Sequence, residues 1–210
     1  MPDKCLIITG GEKVSKDRII SFVDEDTFII CADKGGETAF EYGLTPDILL
    51  GDFDSIDPEL FKNFDVNVME YPEDKDFTDT ELAINHALEK GFEKITVANA
   101  TGDRIDHVFS TFMLLYKYRS TNIIIIGNNF EAFIIDGDKR ISNMKGRTLS
   151  IIPLERELEG VCLVGFRFPL DNRTVNLGDS LCVSNIIEED EALIKIKSGT
   201  AIVIITDLED

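Results

Sequence analysis

The chain has 210 residues, 43% hydrophobic and 29% charged, a composition that excludes a disordered, collagenous or fibrous chain and leaves room for one large domain or two small ones. Forty acidic against 21 basic residues give a formal net charge of −19. A surface so acidic repels nucleic-acid backbones and anionic lipid, so neither is expected as a partner, and an anionic ligand would need bound cations or a nest of backbone N–H groups to be held at all.

From the N-terminus to about residue 126, short apolar runs alternate with helix-like stretches. Cys5–Thr9, Thr27–Ala32, Ile48–Leu50, Val66–Tyr71, Ile95–Ala98 and Asn122–Ile126 read as strands, and their alternation with helices predicts a mostly parallel sheet. The helix over Glu37–Tyr42 ends at Gly43 with Pro46 soon after. Thr78 and Glu81 predict a capping box ahead of a helix that closes at Gly91. Ile105, Val108, Phe109, Phe112, Leu115 and Tyr116 recur at helical spacing, predicting one face packed on the sheet. After Gly127-Asn128-Asn129 the texture becomes β-type: Phe130–Asp136, Arg147–Ile152, Val161–Gly165, Ser180–Ile187, Ala192–Ile196 and Thr200–Thr206, with turn signals at Asp136-Gly137-Asp138 and Asn176-Leu177-Gly178-Asp179. The expected organisation is an α/β N-terminal domain over 1–127 and an all-β sandwich over 128–210.

Cys5, Cys31, Cys162 and Cys182 form no C-x-x-C pair and sit in or beside apolar runs, so they read as free thiols in a reducing compartment. No signal-peptide pattern and no apolar run of the roughly 20 residues needed to span a bilayer is present, and the expected location is the cytoplasm.

Three acidic segments each follow a strand and precede a helix: Gly51-Asp52-Phe53-Asp54-Ser55, Asp74-Lys75-Asp76-Phe77-Thr78-Asp79, and Thr101-Gly102-Asp103-Arg104-Ile105-Asp106-His107. Ligands of open α/β sheets bind at the carboxyl ends of the strands, where these segments could converge. Asp52 and Asp54, two apart, point to one side of an extended segment and could share a Mg²⁺ ion. If Asp79 joined them, each carboxylate pair at about 4 Å would repel by roughly 4 kcal/mol at an effective dielectric of 20, so a metal or proton would have to neutralise the cluster. Each Asp also has a plainer role as loop solvator or cap, and Asp79 and Thr78 in particular suit a helix start on macrodipole and capping grounds alone. Asp33-Lys34-Gly35-Gly36 follows another strand, its glycines permitting close approach of a ligand and Lys34 supplying a compact charge. Arg104 suits phosphate or a salt bridge with its flanking aspartates, His107 suits a ligand contact or the helix surface, and His86, in mid-helix, reads as structural. No P-loop and no G-x-G-x-x-G occurs, and no Ser/His/Asp or Cys/His nucleophile stands out. The inventory is that of phosphoryl-type transfer, which needs positioning, metal and cations more than a protein nucleophile.

Taken in order, Ala32-Asp33-Lys34-Gly35-Gly36, Pro46-Asp47-Ile48-Leu49-Leu50-Gly51-Asp52-Phe53-Asp54-Ser55, Asp76-Phe77-Thr78-Asp79 and Gly102-Asp103-Arg104-Ile105-Asp106-His107 resemble the motifs of the thiamine pyrophosphokinase family. The resemblance implies an α/β nucleotide domain, a thiamine-binding β-sandwich, and a homodimer with a shared active site. It implies Mg²⁺ on Asp52, Asp54 and Asp79, ATP as co-substrate, Asp106 near the reacting groups as the first choice of base or else as a residue orienting Arg104 or a metal-bound water, Arg104 stabilising charge on the transferred group, and Asp33, Lys34, Gly35, Gly36, Asp76, Thr78, Gly102, Arg104 and His107 around the nucleotide. Gly165-Phe166-Arg167-Phe168-Pro169-Leu170 and Ser184-Asn185 resemble the family's Gly-x-x-Trp-Pro-Leu and Ser-Asn-Glu, with Phe168 in the place of Trp and Ile186 in the place of the acid. This implies Phe168, Ser184 and Asn185 as contacts to thiamine, a cationic heteroaromatic that an aromatic face suits, although Phe168 would equally serve a sandwich core. Two other readings compete: a haloacid-dehalogenase-type phosphatase, whose acid pair Asp52-Phe53-Asp54 mimics but which should carry it after the first strand, and a non-catalytic nucleotide-binding module.

Overall fold

The computed structural model describes residues 3–51, 67–71 and 76–207. The chain divides into two compact units, Met1–Asn128 and Asn129–Asp210. In the first, six strands, β1 (Lys4–Ile8), β2 (Phe28–Ala32), β3 (Ile48–Gly51), β4 (Asn67–Glu70), β5 (Lys94–Ala98) and β6 (Asn122–Ile126), pair in parallel in the order β4-β3-β2-β1-β5-β6. Parallel neighbours require crossovers, and these carry α1 (Lys16–Ile20), α2 (Gly35–Tyr42), α3 (Asp79–Glu89) and α4 (Ile105–Lys117). Leu6, Ile7 and Ile8 in succession are wholly buried. Both faces of β1 are therefore covered, which is why its sequence is a continuous apolar run instead of an alternating one. Leu6, Ile8, Cys31, Leu49, Ala98 and Ile126 share one core cluster.

The helices end as their sequences indicate: Gly43 is left-handed after α2, with Leu44 N donating to Ala39 O at 2.8 Å, and Gly91 is left-handed after α3. Only half of the expected capping box forms. Thr78 Oγ1 accepts from Glu81 N at 3.2 Å, but the Glu81 carboxylate takes Lys117 Nζ and lies 3.2 Å from Tyr118 Oη, bracing α3 against α4. The apolar stripe of α4 is likewise buried only in part. Thr111, Leu114 and Leu115 are inside, whereas Ile105 and Phe109 are 73% and 66% exposed, so helical spacing here does not mark a single buried face.

The second unit contains two four-stranded antiparallel sheets, an all-β sandwich. Strands β7 (Phe130–Ile135), β9 (Thr148–Pro153), β12 (Asn185–Ile186) and β14 (Ala201–Thr206) pair in the order β12-β9-β14-β7. Strands β8 (Lys139–Ser142), β10 (Glu157–Val164), β11 (Leu170–Asn176) and β13 (Glu191–Lys195) pair as β11-β10-β13-β8. The run Ser180–Ile187, expected as one strand, is mostly turn: Leu181 and Val183 stay exposed, Ser184 is left-handed, and pairing is confined to the short strand Asn185–Ile186 and a single bridge from Ile187 to Phe166. Among the described residues no helix is long and apolar enough to cross a membrane.

Candidate active site

Strand order reverses direction between β1 and β5, because β2, β3 and β4 succeed β1 on one side and β6 succeeds β5 on the other. The loops leaving these two strands must diverge, and the space between them is where an α/β sheet opens to a ligand. A cleft of about 740 Å³ lies there, lined from the loops after β1, β2 and β5 and from the starts of α3 and α4.

Its floor is built by backbone. Thr9 N donates to Ala98 O, Gly11 N to Asn99 O and Glu12 N to Thr101 O, at 3.0, 3.0 and 2.6 Å, so the loops after β1 and β5 continue the strand pairing past the sheet edge. Gly11 has no room for a side chain: a Cβ would lie 2.2 Å from Asn99 O and 2.3 Å from Thr101 O. Asn99 is 1% exposed with φ 58°, a conformation that asparagine tolerates better than most residues. Its Oδ1 accepts from Val14 N at 2.8 Å and its Nδ2 donates to Thr38 Oγ1 at 3.3 Å, tying α2 and the β1 loop to the end of β5.

Asp33, Lys34, Thr78, Asp79, Gly102, Arg104 and His107 all line this cleft. Gly35 has another task, since a Cβ there would meet Ile8 O at 1.9 Å; it lets α2 sit on β1. Gly36, Asp76 and Asp106 are not among the lining residues. Asp106 turns to Arg104, accepting from Nε at 3.0 Å and from a terminal nitrogen at 2.6 Å. That forked bond holds the Asp106 carboxyl well below the usual carboxylate range and orients the Arg104 guanidinium. Asp52 and Asp54 lie outside the described residues, but Gly51, which precedes them, packs on Asp33: a Cβ at Gly51 would be 2.6 Å from Asp33 Oδ1. Among the described residues no group of three or more His, Cys, Asp or Glu could by itself hold a metal. The carboxylate of Asp79 in the cleft is nonetheless a hard oxygen donor of the kind Mg²⁺ takes in ones and twos, so the donor chemistry fits that ion.

In the second unit, Asn185 is 4% exposed and Phe168 61% exposed. Asn185 Oδ1 accepts from Phe168 N at 3.0 Å and its Nδ2 donates to Phe168 O at 2.8 Å. The Phe168 ring is thus not part of the sandwich core.

Residues 20–126 match the family profile described as thiamin pyrophosphokinase, catalytic domain, and residues 134–203 match thiamin pyrophosphokinase, vitamin B1 binding domain. The chain is 33% identical over 205 residues to a thiamine pyrophosphokinase of Bacillus subtilis (strain 168), covering 94% of this chain and 96% of that one. The chain belongs to the thiamin pyrophosphokinase family. The crystal structure of the thiamine pyrophosphokinase from Bacillus subtilis superposes with a TM-score of 0.89 at 29% identity, covering 98% of this chain and 100% of that one. The thiamin pyrophosphokinase from Geobacillus thermodenitrificans does so with a TM-score of 0.89 at 28% identity and 99% coverage of each. Membership makes the chain an enzyme, a transferase of the kinase type that forms thiamine diphosphate. The phosphatase and non-catalytic readings fall with it. Against the former, β1 is followed by Thr9-Gly10-Gly11-Glu12, with no aspartate pair.

The loop Thr9–Glu12 and Asn99 were not singled out from sequence, although both left a signal. Gly10-Gly11 directly behind the first strand repeats the Gly35-Gly36 pattern, and an asparagine ending an apolar strand is a candidate for positive φ.

Proposed function

We propose that the enzyme transfers the diphosphoryl group of ATP to the hydroxyl of thiamine with Mg²⁺, yielding thiamine diphosphate and AMP. The first unit holds the nucleotide and the second presents thiamine, in the cytoplasm, as a homodimer whose subunits share the site. The observation that carries this reading is the cleft at the β1/β5 switch point, where Lys34 and Arg104 stand beside Asp79 and Asp33. An acidic protein that binds polyphosphate needs such a local arrangement of cations and carboxylates.

Asp79, with Asp52 and Asp54 of the same motif set, would hold Mg²⁺, which when bound neutralises phosphate charge and draws electron density from the reacting phosphorus. Asp33, Thr78, Gly102 and His107 surround the nucleotide, with Asp76 close by in sequence. The thiamine oxygen bonds to the β-phosphorus as the bond from that phosphorus to the α,β-bridging oxygen breaks, AMP leaving with that oxygen and the hydroxyl proton passing to solvent. Arg104, aimed by Asp106, stabilises charge that builds on the transferred group, and alignment of the attacking and leaving oxygens is the main catalytic demand. The forked bond from Arg104 to Asp106 assigns Asp106 the role of orienting that guanidinium. Phe168 and Ser184 form the face against thiamine.

Variants of the cleft test this. Arg104→Gln and Asp79→Asn are each expected to lower kcat by roughly 10²–10³-fold without a change in thermal midpoint. Turnover by Arg104→Gln at the wild-type rate would place the transfer elsewhere.

A further inference from the structure

We infer that Asn185 is a positioning residue for thiamine that acts by holding Phe168, and does not itself touch the substrate; the inference rests on the reading of the Phe168 face as the thiamine site. A primary amide offers one oxygen with two acceptor positions and one nitrogen with two donors. Both acceptor positions of Asn185 are taken, by Phe168 N at 3.0 Å and Ile186 N at 2.9 Å, and Nδ2 donates to Phe168 O at 2.8 Å. What remains is a single N–H on a residue that is 4% exposed. A substrate finds almost nothing to bond there.

Phe168 is in the opposite condition. Its backbone N–H and C=O are both satisfied by the one Asn185 side chain, a ring-closed pair that mimics strand pairing, while its aromatic ring stands 61% exposed. The segment is pinned on either side. Arg167 N donates to Ile186 O at 2.9 Å, Phe166 bridges Ile187, and Pro169 confines Phe168 to extended backbone. The clamp itself is anchored, since Ser184, left-handed at φ 59°, donates from its N to Ser150 Oγ at 3.0 Å. Strand β12 spans only Asn185–Ile186, so the side-chain amide supplies the pairing that a longer strand would have made with backbone. The consequence is that the backbone carrying the aromatic face is fixed before any ligand arrives, which spares part of the ordering cost of binding.

The test is a double-mutant cycle read in thiamine KM, with ATP KM and thermal midpoint as controls for the fold. Phe168→Ala is expected to raise thiamine KM about tenfold, equivalent to about 1.4 kcal/mol of binding. Asn185→Ala is expected to approach that rise with ATP KM unchanged, and the double variant to be within about twofold of Phe168→Ala alone, because the clamp has nothing left to hold. Asn185→Asp, which keeps the shape but removes the donor to Phe168 O, should act in the same direction and serves if Asn185→Ala melts. Fluorine resonances of protein labelled with 4-fluorophenylalanine, with the signal of residue 168 identified by its loss in Phe168→Ala, give a readout free of turnover: that line should shift and narrow in Asn185→Asp. Multiplying single effects in the double variant would mean that Asn185 touches the substrate directly and would overturn the inference, as would an unaltered thiamine KM in both Asn185 variants. An unaltered thiamine KM in Phe168→Ala would overturn both the inference and the thiamine-face reading beneath it.

Discussion

Of the described glycines that line the cleft, Gly11 makes the tightest backbone approach, and Gly11→Ala measures what the approach is worth. Ordinary contact begins near 3.4 Å, yet the new Cβ would lie 2.2 Å from Asn99 O and 2.3 Å from Thr101 O. Both neighbours are backbone of the β5 loop, which is already tied to the β1 loop and, through the Asn99 side chain, to α2, so no flexible side chain can yield. The two loops must part by about 1 Å, straining or breaking the Gly11-to-Asn99 and Glu12-to-Thr101 bonds. At about 0.5–1.5 kcal/mol net per bond, stability should fall by roughly 1–3 kcal/mol. Activity should fall much further, by about 10²-fold, because the same loops line the cleft and a shift of that size misplaces the groups that align the reaction. Urea unfolding reads the first quantity and the initial rate of thiamine diphosphate formation reads the second. Gly137→Ala, with no atom within 4 Å of its new Cβ, is the matched control and should change neither. A Gly11→Ala enzyme active to within about twofold of wild type, by the same alignment argument, would refute the claim that this loop frames the site.

Two further outcomes follow from the helices around the sheet. His86 Nε2 is buried without a hydrogen-bond partner among the described residues, and burial, with Lys90 nearby, lowers its pKa below the ordinary 6.5. The unfolded chain therefore takes up a proton that the folded chain resists, so stability is full above pH 6.5 and is lost as pH falls through the folded value. His86→Leu should flatten the dependence of the thermal midpoint on pH over that acidic side; an unchanged slope would assign it to other groups. Tyr118 Oη lies 2.6 Å from Asn85 Oδ1 and 3.2 Å from Glu81 Oε1, its hydroxyl donating to one at a time. Tyr118→Phe should lower unfolding free energy by about 0.5–1.5 kcal/mol in urea titration while thiamine diphosphate formation is little altered.

The sheet of the first unit was legible because its inner strands β1, β2 and β3 are buried on both faces, so that runs such as Leu6-Ile7-Ile8 have no polar position to blur them. Helix ends were legible where a glycine takes positive φ, as at Gly43 and Gly91. Legibility failed where exposure and pairing part company. Leu170–Asn176 is a strand, but one whose only buried residue is Val175, so it shows no alternation. Leu181 and Val183 look like strand residues and are exposed in a turn. In the site, residue types at strand-to-helix junctions identified Asp33, Lys34, Asp79 and Arg104 as cleft residues. A salt bridge from Arg104 to a flanking aspartate was one of two readings of the sequence, but that Asp106 takes it, and that Asn185 spends its amide on Phe168 and Ile186, was not legible, because which partner a polar side chain chooses depends on distances that spacing does not carry. Asp52 and Asp54 lie outside the described residues.

The central claim is diphosphoryl transfer, and the fate of the two outer phosphates of ATP decides it most directly. With Mg²⁺, thiamine and ATP labelled at the γ-phosphate, the separated products should be AMP and thiamine diphosphate in equal amounts, the label wholly in the latter and absent when thiamine is omitted. ADP with labelled thiamine monophosphate, or AMP that forms without thiamine, would contradict the account.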